Sequence, residues 1–144
     1  MGISLAVCIG CGTINRYDFN RPGAPKCGTC KTPLAVHAAV CDVTALGLSS
    51  LIQSSPLPVV VDFWAPWCAP CRSFAPIFAT TAKAKSSRYA FAKLNTETEK
   101  ATAAKLHIRG IPTLIIFSDG KELIRRSGAL DSSALEGWLD AAKD

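Results

Sequence analysis

The sequence predicts an α/β fold in which helices flank a central mixed β-sheet, preceded by a small N-terminal unit held together by metal ligands. From residue 37 onward, short apolar runs alternate with helical patterns. Two of these runs, residues 59–61 and 114–117, are continuously apolar, which is typical of central strands buried on both faces. Residues 1–34 are instead rich in Cys, Gly and Pro with little periodicity, so we expect this small unit to need a bound metal or another cross-link for stability.

The first half of the predicted sheet region contains two strands and two helices. A strand over residues 38–43 leads to a helix that Pro56 stops, and a parallel crossover follows. The next strand, buried and apolar, covers residues 57–64. A long helix then covers residues 68–86, and Pro76 is expected to kink it near its first turns.

The second half adds three strands and two helices. We predict a strand near residues 89–94, a short helix over residues 98–106 and a buried strand at residues 114–117. The Asp-Gly pair at 119–120 predicts a hairpin turn between antiparallel strands, because this pair tolerates positive φ angles. The last helix opens at Asp131, a suitable N-cap. The resulting order, β-α-β-α-β-α-β-β-α, gives a mixed sheet with helices on both faces.

Composition and charge limit the possible functions. The formal net charge is +5, but no dense Lys/Arg stripe indicates a nucleic-acid surface. No apolar stretch is long enough to cross a membrane, and the N-terminus lacks the positive region of a secretory signal. We therefore expect a cytoplasmic protein, acting as a monomer. Seven cysteines in such a chain favour metal binding and redox chemistry over a secreted disulfide framework.

The pair Cys68 and Cys71 lies where a buried strand gives way to the long helix. Cys68 falls at or just before the first helical turn, where free backbone N–H groups and the helix dipole favour a thiolate over a thiol. We therefore predict Cys68 as the nucleophile of a reactive dithiol, with Cys71 one turn on and within bonding reach. Pro70 stiffens the loop between them without removing a hydrogen bond that the first turn would use.

Four further cysteines form two Cys-x-x-Cys pairs, Cys8 with Cys11 and Cys27 with Cys30. Fifteen residues separate the pairs, a spacing that lets two knuckle turns present four thiolates tetrahedrally to one ion. We predict a structural Zn²⁺ at these four ligands, with iron as the second choice for the same geometry. The alternative is a pair of structural disulfides without metal.

The neighbours of these cysteines and the remaining candidate ligands receive lesser roles. Gly12 and Gly28 each adjoin a ligand and are expected to let backbone amides turn toward the sulfurs. His37 and His107 are interpreted as surface residues, because four cysteines already satisfy one metal ion. Cys41 is expected to pack as a small strand hydrophobe, with a regulatory thiol as the alternative.

Three segments resemble the thioredoxin family in their order and spacing: residues 62–71 (Asp-Phe-Trp-Ala-Pro-Trp-Cys-Ala-Pro-Cys), residues 108–113 (Ile-Arg-Gly-Ile-Pro-Thr) and the later Asp-Gly pair. The resemblance covers residues 38–144 and implies a thioredoxin fold. With the four-cysteine unit included, the chain resembles the zinc-binding bacterial members of that family. We therefore divide it into a zinc-binding unit, residues 1–35, and a thioredoxin domain, residues 36–144.

The resemblance also implies catalytic roles. The residue matching Pro112 is a cis-proline that faces the dithiol in thioredoxins, and the backbone of the preceding residue, here Ile111, pairs with an extended substrate segment. Asp62 matches the buried carboxylate that helps deprotonate Cys71 through water, and its burial should raise its pKa toward the working range. Lys93 matches the lysine beside that aspartate and is expected to tune its titration.

The implied substrate-binding surface surrounds the dithiol. Trp67 supplies a contact surface, Trp64 has a mainly packing role, and Gly128 lets a partner's backbone approach. Ala69 and Pro70 lie between the two cysteines. Ala69 stands where the family usually has glycine, which bears on the reduction potential. We expect the change to be small and the protein to remain a net reductant.

The activity implied by the resemblance is the reduction of disulfides in client proteins by the Cys-Ala-Pro-Cys dithiol. An NADPH-dependent thioredoxin reductase would then reduce the enzyme, and no bound organic cofactor, nucleic acid or membrane is expected. Two alternatives concern the four-cysteine unit. It could act as a zinc-dependent redox sensor that controls the catalytic domain, or as a binding module on a thioredoxin-like scaffold.

Overall fold

A computed structural model of the chain describes residues 2–142, and its main sheet has six strands. The elements in chain order are β1 Ile3–Val7, β2 Ile14–Asp18, β3 Val36–His37, β4 Val40–Asp42, α1 Ala45–Ser54, β5 Val59–Trp64, α2 Ala69–Lys85, β6 Ala90–Asn95, α3 Lys100–Lys105, β7 Thr113–Ser118, β8 Lys121–Ser127 and α4 Ser132–Ala141. The main sheet has the order β3-β4-β6-β5-β7-β8, and β1 and β2 form a separate two-stranded sheet.

The centre of the main sheet is mixed, as predicted. Strands β4, β6 and β5 run parallel to one another, and β7 runs antiparallel to β5. The two continuously apolar runs of the sequence form β5 and β7, where Val60 lies opposite Phe91 on one side and Ile116 on the other. Each predicted strand and helix of residues 38–142 is present, with ends that differ by a few residues from the predicted ones.

Each face of this sheet carries its own core, because successive residues of a strand point to opposite faces. On one face, Val61 and Phe63 of β5 belong to the same cluster as Leu51 of α1. On the other face, Val60 packs in a cluster with Phe78 of α2, which also contains α4 residues. The predicted placement of helices on both faces is confirmed.

The N-terminal segment contains a hairpin that the sequence did not indicate. Strand β1 pairs antiparallel with β2, and four of the five β1 residues are buried. Leu5 of β1 and Tyr17 of β2 join the same cluster as Leu48 and Leu51 of α1. A strand buried along most of its length shows no alternation of polar and apolar residues, which explains why its pattern was not recognised.

Two local features extend or confirm the predicted topology. Strand β3 was not predicted, because the tight turn before β4 places Ala38 at a φ of 52°, a conformation for which alanine gives no sequence signal. Asp119 and Gly120 both have positive φ, as the predicted hairpin turn requires. Asp131 caps α4 by accepting a hydrogen bond from the Ala134 backbone N–H over 2.8 Å.

Two further points concern the predicted boundaries. No helix among residues 2–142 is long and apolar enough to cross a membrane. The last two residues of the predicted 36–144 domain lie outside the described residues. The kink at Pro76 and the division of the chain at residue 35 stay predictions.

Candidate active site and metal centre

Cys68 is the N-cap of α2, as its position at the strand-to-helix junction predicted. Its backbone is extended, with φ −88° and ψ 110°, and its Sγ accepts a hydrogen bond from the backbone N–H of Cys71 over 3.2 Å. Ala69 and Pro70 occupy the first two helical positions, where a missing N–H costs nothing. The Cys68 sulfur therefore lies at the positive end of the helix dipole, which favours its thiolate form.

Cys68 and Cys71 form a disulfide, with their Cα atoms 5.2 Å apart. Both residues are buried, Cys68 with 4% and Cys71 with 2% of their surface exposed. Trp67, by contrast, is 64% exposed directly before the disulfide. The site therefore combines a covered sulfur pair with an apolar side chain that another protein can contact.

The loop before β7 faces the disulfide. The Ile111–Pro112 peptide bond is cis, and the Ile111 carbonyl oxygen lies 3.8 Å from Cys68 Sγ. The backbone N–H of Gly128 donates to the Pro112 carbonyl oxygen over 2.8 Å. Gly128 has a φ of 96°, and a side chain at this position would meet no atom within 4 Å. The backbone beside the disulfide is therefore open to an approaching chain at Gly128.

Asp62 is fully buried on β5, on the sheet face that packs against α2. Neither of its carboxylate oxygens has a hydrogen-bond partner among residues 2–142. Burial raises the pKa of Asp62 to about 7, and the positive charge of Lys93 opposes this rise. A carboxylate whose pKa lies near neutrality is suited to exchanging protons at physiological pH.

Lys93 lies opposite Asp62 in the parallel register of β5 and β6. Its Nζ sits 4.4 Å from the centroid of the Trp64 ring, a cation–π contact. Among the described residues, no carboxylate oxygen lies within 4 Å of Lys93 Nζ. Lys93 thus supplies positive charge near Asp62 without a direct ion pair.

The four N-terminal cysteines come together in one cluster, as predicted. The Sγ atoms of Cys8, Cys11, Cys27 and Cys30 all lie within 4.8 Å of one another. Two contacts join the pairs directly, Cys8–Cys30 at 3.5 Å and Cys11–Cys27 at 3.7 Å. A tetrahedral Zn²⁺ with four thiolates separates its sulfurs by about 3.8 Å. The donor set and spacing therefore fit a single Zn²⁺.

The two pairs form knuckles with the same backbone geometry. The first cysteine of each pair bonds to the threonine five residues on, by Cys8 N–H to Thr13 O and Cys27 N–H to Thr32 O. In both knuckles the residue after the second cysteine has positive φ: 78° at Gly12 and 66° at Lys31.

Backbone amides turn toward the sulfurs in both knuckles, as predicted. Gly10 N–H donates to Cys8 Sγ over 3.3 Å, and Thr29 N–H donates to Cys27 Sγ over 3.4 Å. Gly28 N–H itself donates to the side-chain oxygen of Asn15 over 2.9 Å. In both knuckles, the amide two residues after the first cysteine turns back over the sulfur of that cysteine.

Comparisons with known proteins agree with this architecture. The family model for thioredoxin matches residues 39–141. Thioredoxin C-3 from Corynebacterium nephridii is 37% identical over 137 residues, covering 94% of this chain and 93% of that protein. Thioredoxin 1 from Synechococcus elongatus is 40% identical over 107 residues, covering 74% of this chain and 97% of that protein. A mutant thioredoxin from Halobacterium salinarum has a TM-score of 0.66 at 28% identity, covering 73% of this chain and 91% of that one.

The chain belongs to the thioredoxin family. Members of this family are protein-disulfide oxidoreductases, so the predicted fold class and enzyme class are confirmed. The match to Thioredoxin C-3 spans 94% of the chain and therefore includes most of the four-cysteine unit.

This thioredoxin brings most of the predicted site residues together. Cys68 and Cys71 share a cluster with Trp64 and Ile111, while Asp62 and Lys93 lie side by side in the sheet below. The residues predicted to have no ligand role do not belong to the cluster of Cys8, Cys11, Cys27 and Cys30, called here the metal cluster: His37 and His107 are exposed, and Cys41 is fully buried in β4.

Two threonines beside the metal cluster were not predicted from the sequence. The hydroxyls of Thr13 and Thr32 lie 3.1 Å from the sulfurs of Cys11 and Cys30, respectively. The repeated pattern Cys-x-Thr at residues 11–13 and 30–32 could have identified them. In the second knuckle, this hydroxyl is the main cause of a lowered pKa at Cys30. Such contacts stabilise the thiolate form that a metal requires.

Proposed function

We propose that this thioredoxin reduces disulfides in client proteins, with Cys68 as the nucleophile and Cys71 as the resolving thiol. The observation that carries the proposal is the position of Cys68 at the N-cap of α2, where its sulfur accepts the Cys71 backbone N–H. When the disulfide is reduced, the same hydrogen bond and the helix dipole stabilise a thiolate on Cys68.

In the first step, the Cys68 thiolate attacks one sulfur of a client disulfide. A Cys68–client disulfide forms, the client S–S bond breaks, and the second client sulfur leaves as a thiolate that takes up a proton. In the second step, Cys71 loses its proton and attacks Cys68 Sγ, and the remaining client sulfur leaves as a thiolate. The client gains two electrons, and the enzyme is left with the Cys68–Cys71 disulfide.

Asp62 is proposed as the acceptor of the Cys71 proton. Its carboxylate is buried on the α2 side of the sheet, without a protein hydrogen-bond partner among residues 2–142, and burial places its pKa at about 7. A group with this pKa binds and releases a proton within one catalytic cycle near neutral pH. Lys93 is proposed to hold this pKa in range, because its positive charge opposes the effect of burial.

The client chain is proposed to lie along the open backbone beside the disulfide. Ile111 presents a carbonyl oxygen 3.8 Å from Cys68 Sγ, Pro112 holds that loop in its cis form, and Gly128 leaves space above it. Pairing of an extended client segment with this backbone gives affinity without demanding a particular client sequence. Trp67, largely exposed, adds an apolar contact.

Cys8, Cys11, Cys27 and Cys30 are proposed to hold a structural Zn²⁺. This ion has no redox chemistry of its own and would fasten the two knuckles to each other. Regeneration of the dithiol by an NADPH-dependent thioredoxin reductase is proposed on the basis of family membership. Location in the cytoplasm, the monomeric state and the absence of nucleic-acid binding stay predictions from the sequence.

The assignment of the two cysteines can be tested by trapping. Cys71→Ser should leave a covalent adduct between Cys68 and a disulfide-containing client, visible by non-reducing electrophoresis and released by dithiothreitol. Cys68→Ser should give no such adduct, because Cys71 is the less exposed sulfur and has no helix N-terminus in front of it. Adducts with Cys68→Ser but not with Cys71→Ser would reverse the two roles.

The direction of the reaction can be tested by the reduction potential of the Cys68–Cys71 pair. Equilibration of the metal-loaded protein against dithiothreitol buffers should give a value near about −270 mV, as in reducing thioredoxins. A value near about −180 mV would instead indicate disulfide donation or isomerisation. In that case Ala69→Gly would show whether Ala69 causes the difference.

A further inference from the structure

Three charged side chains lie side by side at the carboxyl ends of three adjacent parallel strands. In register, Asp42 of β4 is opposite Lys93 of β6, and Lys93 is opposite Asp62 of β5. Residues directly opposite in parallel strands point to the same face of the sheet. We call Asp42, Lys93 and Asp62 the charged row.

The preceding row of the sheet shows which face this is. Val40, Phe91 and Val60 lie opposite one another two residues before the charged row, and all three pack in the cluster on the α2 side. Because side chains alternate along a strand, the charged row leaves the sheet on that side as well. This is the face on which α2 carries Cys71.

Exposure to solvent increases along the charged row. Asp62 is fully buried, Lys93 is half-buried and Asp42 is exposed. The outer part of the row opens into a cavity of about 270 Å³, whose lining includes Asp42, Lys93, Trp64 and Glu99. Asp42 therefore lies between solvent and the lysine that neighbours the buried carboxylate.

Lys93 is flanked by two carboxylates and is bound tightly to neither. Among residues 2–142, its ammonium has no carboxylate oxygen within 4 Å, yet its charge acts on both Asp42 and Asp62. The other titratable groups facing the row are His37 on β3, whose charge also acts on Asp42, and Glu99 across the cavity. The helix that packs on this face, α2, carries Cys71.

We propose that Asp42 is a positioning residue for the disulfide exchange, whose negative charge sets the pH at which Asp62 releases its proton. This inference rests on the proposed role of Asp62 as the proton acceptor. The Asp42 carboxylate repels a second negative charge on Asp62, which opposes the attraction that Lys93 exerts there. This repulsion makes Asp62 hold its proton to a higher pH.

The size of the effect follows from the strand spacing. Asp42 and Asp62 are two strands apart, roughly 10 Å, a distance at which two charges shift each other's titration by about 0.3 to 1 pH unit, depending on the effective dielectric constant. Because Asp42 is exposed and screened by salt, we expect about half a pH unit at moderate ionic strength.

The test is the titration of Asp62 itself, followed by NMR of its carboxyl carbon in the oxidised, metal-loaded protein. Asp42→Asn should lower the midpoint of that titration by about half a pH unit. Asp42→Glu, which restores a carboxylate, should return the midpoint close to the wild-type value. The pH dependence of the reduction potential should show a matching displacement.

Asp119→Asn is the matched control, because it also removes one negative charge but lies in the hairpin turn, away from the row, in a left-handed conformation that asparagine tolerates. The Asp42 carboxylate accepts no hydrogen bond among residues 2–142, so Asp42→Asn is expected to fold normally. Equal Asp62 titrations in Asp42→Asn and the wild type, or equal shifts in Asp42→Asn and Asp119→Asn, would overturn the inference.

Asp62→Asn separates this inference from the proposed function. If that variant keeps the wild-type pH dependence of mixed-disulfide resolution, Asp62 is not the proton acceptor. The role proposed for Asp62 and the inference about Asp42 are then both wrong. If the pH dependence disappears in Asp62→Asn but does not move in Asp42→Asn, the inference about Asp42 alone is wrong.

Discussion

The Cys-x-x-Cys at residues 68–71 and those of the metal cluster have the same spacing but different geometry. In the first, both sulfurs belong to one turn and form a disulfide with each other. In the cluster, sulfurs of different pairs contact each other, Cys8 with Cys30 over 3.5 Å and Cys11 with Cys27 over 3.7 Å, and all four lie within 4.8 Å of one another. The spacing alone therefore does not decide whether two thiols react with each other or bind a shared ion.

The difference lies in the backbone that follows each first cysteine. After Cys68 the chain enters a 17-residue helix, so the two sulfurs lie on one helical turn at the positive end of its dipole. After Cys8 and Cys27 the chain makes a tight knuckle that ends in a residue with positive φ, Gly12 or Lys31. A helix start favours one reactive thiolate, whereas paired knuckles favour four thiolates around a metal.

The strongest test of this comparison replaces one cysteine in each region. Cys68→Ser should lower disulfide-reductase activity by at least about 1000-fold, while the metal content stays the same and the stability matches that of the reduced wild type, which also lacks the Cys68–Cys71 disulfide. Cys27→Ser should lose the metal and lower the free energy of unfolding by about 5 kcal/mol or more, because metal binding contributes directly to folding. Its activity should stay within a few-fold of wild type at a temperature where it is folded. Metal analysis, chemical denaturation and a turnover assay provide the three measurements.

Cys41→Ser is the control for the cluster variant. Cys41 is as buried as Cys27 but lies in β4 and is no part of the metal cluster, so its replacement should retain the metal. The cost of placing a hydroxyl in the core is then measured separately. Loss of turnover in folded Cys27→Ser, or release of the metal from Cys68→Ser, would show that the two regions do not have separate roles in activity and stability.

The second prediction concerns how far the buried carboxyl group of Asp62 lowers the free energy of unfolding. Burial raises the Asp62 pKa to about 7 in the folded protein, against about 3.9 in an unfolded chain. Below about pH 3 the group is protonated in both states and does not affect stability. As pH rises from 4 to 7 the unfolded state ionises first, so stability falls, by up to roughly 4 kcal/mol, and then stays constant.

Asp62→Asn removes this cost and should stabilise the protein by about 2–4 kcal/mol at pH 8 but by little at pH 4. Urea unfolding at both pH values measures the difference. Asp119→Asn, in an exposed turn, should change stability by less than about 0.5 kcal/mol at either pH. A pH-independent gain in Asp62→Asn would mean that the raised pKa is not the cause.

The two regions also differ in how well the sequence predicted them. The dithiol was placed correctly at the start of its helix, because a helical pattern begins within two residues of Cys68 and the preceding strand is continuously apolar. Asp62 and Lys93 were identified through the family resemblance. Asp42 was not, because its partner Lys93 is 51 positions away and the pairing of β4 with β6 exists only in the folded sheet.

The metal unit was predicted less completely. Cysteine spacing was sufficient to predict the cluster of four cysteines, but the hairpin of β1 and β2 was missed. Leu5 and Tyr17 bury themselves against α1, about 30 to 45 residues away, and no local pattern encodes that contact. The sequence predicted that backbone amides face the sulfurs but did not identify the donors, because their directions follow from a knuckle geometry that glycine positions alone do not specify.

The smallest predicted effect tests whether the two knuckles are equivalent. Gly12 and Lys31 occupy the same left-handed position, yet lysine pays a steric cost there that glycine does not. Lys31→Gly should stabilise the metal-loaded protein by about 0.5–1 kcal/mol, since relief of about 1–2 kcal/mol of strain exceeds the added entropy of the unfolded chain.

Gly12→Ala makes the opposite kind of change in the first knuckle. A Cβ at this position has space, with the nearest atom 3.7 Å away. We therefore expect a loss of stability of similar size, caused by the left-handed backbone conformation and not by a clash. Opposite signs in thermal unfolding would establish that both knuckles require the same backbone. Destabilisation by Lys31→Gly would instead show that the Lys31 hydrogen bond to the Gly28 carbonyl outweighs the strain.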